Sequence, residues 1–170
     1  MKKIALLLLL MMTFSSCKST RKTATKSRTV KIDSTSKHTT VSNAKADNVV
    51  DYAMKFDGVR YKHGGTTKKG MDCSGLIVTS FNSENVALPR TTGDLSVTGD
   101  WIDLKKVAKG DLLFFATRKN SRNVNHVGIV TESRDGYVEF IHASTSNGVM
   151  VSNLAEKYWY FAFVQARRVL

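Results

Sequence analysis

The chain is short of cysteine, of proline and of any long apolar run. It has 170 residues, with two cysteines, Cys17 and Cys73, and a single proline, Pro89. The longest apolar run, Ile4 to Met12, is far below the roughly 20 residues a membrane-crossing helix needs, which favours a signal peptide over a permanent span. There is no His-x-x-x-His or Cys-x-x-Cys pair. One cysteine and two histidines could form a catalytic zinc site, but without a close ligand pair the spacing argues against metal, and no cofactor is expected. There are no internal repeats, so solenoids and propellers are excluded.

Acidic residues are scarce at one end only. Residues 1–48 hold ten Lys/Arg against two Asp, a net +8, while residues 49–170 hold sixteen Lys/Arg against twelve Asp/Glu, a net +4. The basic excess therefore lies mostly outside the part that can fold, and no folded element gathers it. That pattern excludes a dedicated nucleic-acid domain. Lys2 and Lys3 followed by the short apolar run read as a signal peptide over residues 1–16. Ser15 and Ser16 precede Cys17, which resembles the lipobox of bacterial lipoproteins, with Phe14 where an aliphatic residue is usual. The resemblance implies cleavage before Cys17 and lipidation of that cysteine, hence an exported lipoprotein at the periplasmic face of the inner or outer membrane. From Lys18 to Ala46 the chain is Ser, Thr, Lys and Arg with no sustained period. Too little apolar surface is available to offset the entropy of ordering, so residues 17–46 are expected to be a disordered, extended tether.

The folded domain is expected over residues 47–170. Asp47 can cap a helix whose apolar face is Val49, Val50, Ala53 and Met54. A glycine-punctuated loop (Gly64, Gly65, Gly70) leads to Asp72-Cys73-Ser74-Gly75 and a second helix through Leu76, Ile77 and Phe81. Beyond Trp101 the pattern turns strand-like. Leu112–Phe115 is a continuous apolar run suited to a strand buried on both faces, and a last strand is expected around Tyr160 to Arg167. Helices first and strands after predict an α+β fold, with an antiparallel sheet packed on helices.

If Cys17 carries lipid, Cys73 has no disulfide partner, and reactivity explains an unpaired thiol in an exported protein. A helix N-terminus is where a thiol is expected to be most acidic. His126 and His142 lie in strand-like segments, 126–131 and 137–142, that read as a hairpin. An odd loop centred on Arg134 places them directly opposite, with Cβ atoms about 4.5–5.5 Å apart. A bulge at Gly136 makes them diagonal on one face, and a tight Asp135-Gly136 turn puts them on opposite faces. Gly128 is expected to let the Cys73 helix approach His126 closely. These residue types suit a nucleophile, its base and an orienting third group.

Asp72-Cys73-Ser74-Gly75, Gly110 to Phe115, His126-Val127-Gly128-Ile129 and Ile141-His142-Ala143, in that order, resemble the NlpC-type cell-wall peptidases, which are papain-like cysteine peptidases. The likeness covers about residues 48–170. It implies a papain-like fold and hydrolysis of the γ-D-glutamyl–diaminopimelate bond in peptidoglycan stem peptides, with Cys73 as nucleophile, His126 as general base and acid, and His142 orienting His126. It also implies that Tyr61 lies near the nucleophile and assists the oxyanion, and that Asp72, Ser74 and Arg90 bind substrate. His63 and Leu95 depart from the family pattern, which commonly has Trp and Gln there. No wall-binding repeats are present, so anchor and tether are expected to localise a monomer. The competing readings are a catalytically silent wall-binding lipoprotein and an amidase or acyltransferase on the same scaffold.

Overall fold

A computed structural model describes the backbone from Ser34 and the side chains from Ala44 to Leu170. The signal segment, Cys17 and the tether up to residue 33 lie outside the described residues. In chain order the elements are α1 (Ser34–Met54), β1 (Thr66–Thr67), β2 (Gly70–Met71), α2 (Cys73–Asn82), α3 (Thr92–Leu95), β3 (Asp100–Ile102), a 3₁₀ turn (Leu104–Lys106), β4 (Leu112–Phe115), β5 (His126–Arg134), β6 (Tyr137–Ser144), β7 (Gly148–Asn153), α4 (Lys157–Ala162) and β8 (Phe163–Arg168). The last six strands form one antiparallel sheet in the order β3-β8-β4-β5-β6-β7.

The sheet carries a core on each face. On one side Leu112, Phe114, Val127, Ile129 and Ile141 pack against Val49, Val50 and Ala53 of α1 and Leu76, Ile77 and Phe81 of α2. On the other, Leu113, Phe115, Val130 and Phe140 meet Trp159 and Ala162 of α4, with Val107 and Leu154. This is why Leu112–Phe115 lacks alternation: all four side chains are fully buried. Burying Leu76, Ile77 and Phe81 of α2 contributes about 1.5–3 kcal/mol each, which fixes the helix that begins at Cys73.

Three sequence expectations need correction. The helix expected to open at Asp47 begins at Ser34, so residues 34–46 are helical rather than part of a disordered tether. Docking of Val49, Val50 and Ala53 supplies the costly nucleus, after which extension by further turns is cheap. Ala46 is itself buried, and a Cβ on Gly110 would come within 2.8 Å of it. Asp47 then caps nothing; it pairs with Lys109 Nζ at 2.8 Å. Second, Tyr160–Ala162 belongs to α4 and the last strand starts at Phe163. The aromatics suit a strand locally, but Trp159 and Ala162, three apart, are buried while Tyr158, Tyr160 and Phe161 are exposed, which is a helical period.

The third correction concerns the β5–β6 hairpin. Arg134 pairs with Tyr137 across the two-residue turn Asp135-Gly136, the arrangement that by itself separates the two histidines. The ladder then slips between Val130 and Glu132, leaving Thr131 as an extra residue. Below this bulge Gly128 pairs with His142, so His126 lies diagonal to His142 on the same face.

Candidate active site

Asp72 organises the start of α2. Its backbone is extended (φ −102°, ψ 175°) and its Oδ1 accepts from Gly75 N at 2.7 Å, an N-cap that satisfies one of the helix's free donors. Oδ2 accepts from Gly64 N at 2.7 Å and from Arg90 Nη2 at 2.8 Å. Arg90 Nη1 also donates to Ser74 Oγ at 2.6 Å. Burial opposes ionisation of Asp72, yet the Arg90 guanidinium and the two backbone N–H groups outweigh it and hold the carboxyl below its usual range. The structure thus brings Asp72, Ser74 and Arg90 into one bonded cluster beside the nucleophile position.

Cys73 is the first residue of α2, so its N–H has no partner within the helix. The side chain is buried at 8% exposure, and its sulfur lies 3.7 Å from Thr92 Oγ1. Burial pushes the thiol up. The Thr92 hydroxyl and the Ser74 and Val127 N–H groups favour thiolate but are outweighed, and the Asp72 charge adds to burial. Where the sequence leads us to expect an acidic thiol at a helix start, burial works in the opposite direction and the net push on Cys73 is upward. Tyr61 stands in the same space. Burial raises its phenol, and the charges of Cys73 and Asp72 raise it further.

His126 opens β5 and His142 lies in β6, both on the sheet face that α4 covers. His126 Nε2 and His142 Nδ1 are 3.0 Å apart, and His142 Nε2 is 3.0 Å from Ser152 Oγ of β7. Trp159 stacks on His126 (centroids 5.5 Å, 23°) and meets His142 edge-on at 4.6 Å. Gly128 does not admit α2, which packs on the opposite face. A Cβ there would lie 2.6 Å from Phe140 Cδ2 and 3.2 Å from His142 Cβ, so the glycine makes room for the β6 side chains. Val127, one residue past His126, has an N–H that favours the Cys73 thiolate. Among the described residues no hydrogen bond joins Cys73 to His126, a looseness common before substrate closes such a pair.

Burial lowers His126 to about 4, and burial together with the neighbouring His126 lowers His142 to about 3. Both rings are neutral at pH 7. As pH falls below 6.5, the unfolded chain takes up protons that the folded pair refuses, so stability is lost on acidification through the window from 6.5 to about 4. The slope contributed is up to about 1.4 kcal/mol per pH unit for each ring. Urea unfolding at pH 7 and pH 5 should show this loss, and His142→Asn should flatten it.

Thr92, Ser152 and Trp159 were not singled out from the sequence. Thr92 sits two residues past Arg90, which was the available hint; Ser152 and Trp159 carry no local signal. Of the two departures noted, His63 is exposed, while Leu95 is fully buried in the core with Phe81. A separate cavity of about 600 Å³ lies beside the β5–β6 turn, and neither Cys73, His126 nor His142 lines it.

With this geometry in place, the comparisons with known proteins decide the family. The model of the NlpC/P60 family matches residues 58–168. The chain belongs to the NlpC/P60 family. It is 44% identical over 114 residues to the "Probable endopeptidase NlpC homolog" of Haemophilus influenzae, covering 66% of this chain and 57% of that one. It is 39% identical over 123 residues to the "Murein DD-endopeptidase MepS/Murein LD-carboxypeptidase" of Escherichia coli, covering 72% of this chain and 62% of that protein. The chain thus spans about three fifths of the length of these two relatives. A crystal structure of an NlpC/P60 family protein from Bacillus cereus superposes with a TM-score of 0.65 at 31% identity, covering 72% of this chain and 39% of that one. The helix-plus-antiparallel-sheet architecture is therefore that of NlpC/P60 papain-like domains.

Proposed function

We propose that this NlpC/P60 protein is a cysteine-type peptidoglycan endopeptidase that hydrolyses stem peptides at a D-glutamyl–diamino acid bond. The observation that carries the reading is the His126–His142–Ser152 chain, two contacts of 3.0 Å each, next to Val127, whose N–H favours the Cys73 thiolate. For the base nitrogen Nδ1 of His126 to be free, its proton must sit on Nε2 and point to His142 Nδ1. His142 then donates from Nε2 to Ser152 Oγ.

In the resting site both thiol and imidazole are neutral. The Cys73 sulfur attacks the carbonyl carbon as its proton passes to His126 Nδ1, and the Cys73 N–H and Tyr61 hydroxyl serve the developing oxyanion. The C–N bond breaks as His126 returns that proton to the leaving amine, leaving a thioester. Water then attacks the thioester, giving one proton to His126, which passes it to the departing thiolate. Asp72, Ser74 and Arg90 bound the acyl side of the groove. The lipobox-like segment supports anchoring through Cys17 in the bacterial envelope, with the basic stretch as a spacer.

Digestion of purified muropeptides followed by mass spectrometry tests the reading. New termini at D-glutamate and at the diamino acid are expected. Wall binding without cleavage supports the silent-protein reading instead, and release of a different bond would reassign the enzyme to amidase or acyltransferase chemistry.

A further inference from the structure

Among the described residues the Cys73 sulfur has one side-chain hydrogen-bond partner, Thr92 Oγ1 at 3.7 Å, and that hydroxyl has no other. The two atoms come from segments 19 residues apart, and both are held in place. Cys73 heads α2, whose Leu76, Ile77 and Phe81 are fully buried. The short α3 is pinned at three points. Thr91 Oγ1 accepts from Asp94 N at 3.1 Å and donates to Asp94 Oδ2 at 2.6 Å. Leu95 is fully buried, and Gln165 of β8 donates to Ser96 O at 2.8 Å. The half-buried Thr92 hydroxyl is therefore presented to the sulfur by the fold.

The sulfur needs such a donor. Burial and the Asp72 carboxylate both oppose charge on it, and only the Thr92 hydroxyl and the Ser74 and Val127 N–H groups favour it. Tyr61, with its phenol pushed up, is neutral, and so is His126. Arg90 is engaged by Asp72 Oδ2 at 2.8 Å and Ser74 Oγ at 2.6 Å. The thiol hydrogen has to face His126, which takes it, so the rotatable Thr92 O–H is free to donate to the sulfur. A hydrogen bond to a charged acceptor is stronger than one to a neutral acceptor, so this contact tightens as charge develops.

We propose that Thr92 is a catalytic residue, its hydroxyl donating to the Cys73 sulfur whenever that atom carries charge. This rests on the peptidase reading above. During attack, the thiol proton passes to His126 Nδ1 while the Thr92 O–H holds the sulfur. When the thioester breaks, the C–S electron pair returns to sulfur and the hydroxyl donates again until His126 delivers its proton. Thr92 keeps its own proton throughout.

Thr92→Val removes the hydroxyl at nearly constant shape, Thr92→Ala removes it without a branched side chain, and Thr92→Ser retains it. Alkylation of the full chain by iodoacetamide across pH reads the thiol without requiring turnover. The midpoint should move up by about one pH unit in Thr92→Val and Thr92→Ala, the equivalent of about 10-fold, and return in Thr92→Ser. On muropeptides kcat should fall by about 10-fold in the same two variants at unchanged KM, with Thr92→Ser close to the wild type. A wild-type alkylation profile in both Thr92→Val and Thr92→Ala overturns the proposal. So does a Thr92→Ser variant as impaired as Thr92→Val, which would assign the contact to methyl packing. Absence of cleavage by the wild type overturns the peptidase reading and leaves the alkylation result standing, which keeps the two failures distinct.

Discussion

Replacing Cys73 by Ala should abolish muropeptide cleavage, lowering kcat by about 10⁴-fold or to the detection limit, with the thermal midpoint nearly unchanged. The substitution removes one sulfur whose hydrogen bond, to Thr92 Oγ1, is a weak one at 3.7 Å, and keeps a small apolar group in place. The fold therefore loses little, while the reaction loses the atom that forms the thioester. His126→Ala should be nearly as damaging, and the double variant little worse than either alone, because nucleophile and base act as a unit. Cleavage retained in Cys73→Ala sinks the covalent mechanism. Unchanged wall binding by both variants without any wild-type turnover would favour the silent alternative.

Gly75→Ala should be the most damaging of the conservative changes to stability, costing about 3 kcal/mol, read as a fall in the urea midpoint. A Cβ at this position would fall on the Gly65 carbonyl oxygen and 2.9 Å from Asp72 Oδ1. Neither can yield cheaply. Gly65 O accepts from Asp72 N at 3.1 Å, and Asp72 Oδ1 caps the helix through Gly75 N itself. The strain lands on the turn that aims Cys73, so kcat should fall along with stability. Gly58→Ala is the control: nothing lies within 4 Å of its Cβ, so only its left-handed backbone (φ +76°) is strained, at about 1 kcal/mol.

Much of this arrangement was readable in the residues. The apolar run of β4, the turn-capped start of α2 and the ordered motifs around Cys73, His126 and His142 each carry a local signal, and the α+β class follows from their order. What escaped needed long-range information. Trp159 reads as part of an aromatic strand until the sheet face it covers is known. Ser152 is an ordinary alternating polar residue until β7 lies beside β6. The upward push on the Cys73 thiol escapes the sequence because a helix terminus is visible there, whereas desolvation is not. The extent of α1 was missed because tertiary docking of Val49, Val50 and Ala53, rather than composition, sets how far the helix extends.

The extra residue in β5 has a consequence for how the hairpin can change length. The two-residue turn at Asp135-Gly136 and the unpaired Thr131 each shift the ladder by one step, and only together do they return His126 and His142 to one face. Deleting Thr131 alone would leave both histidines in the chain and turn one of them away. Adding a residue to the turn in the same variant should restore the pair. Turn length and bulge therefore form a coupled insertion–deletion pair, in which each tolerates change only if the other changes with it.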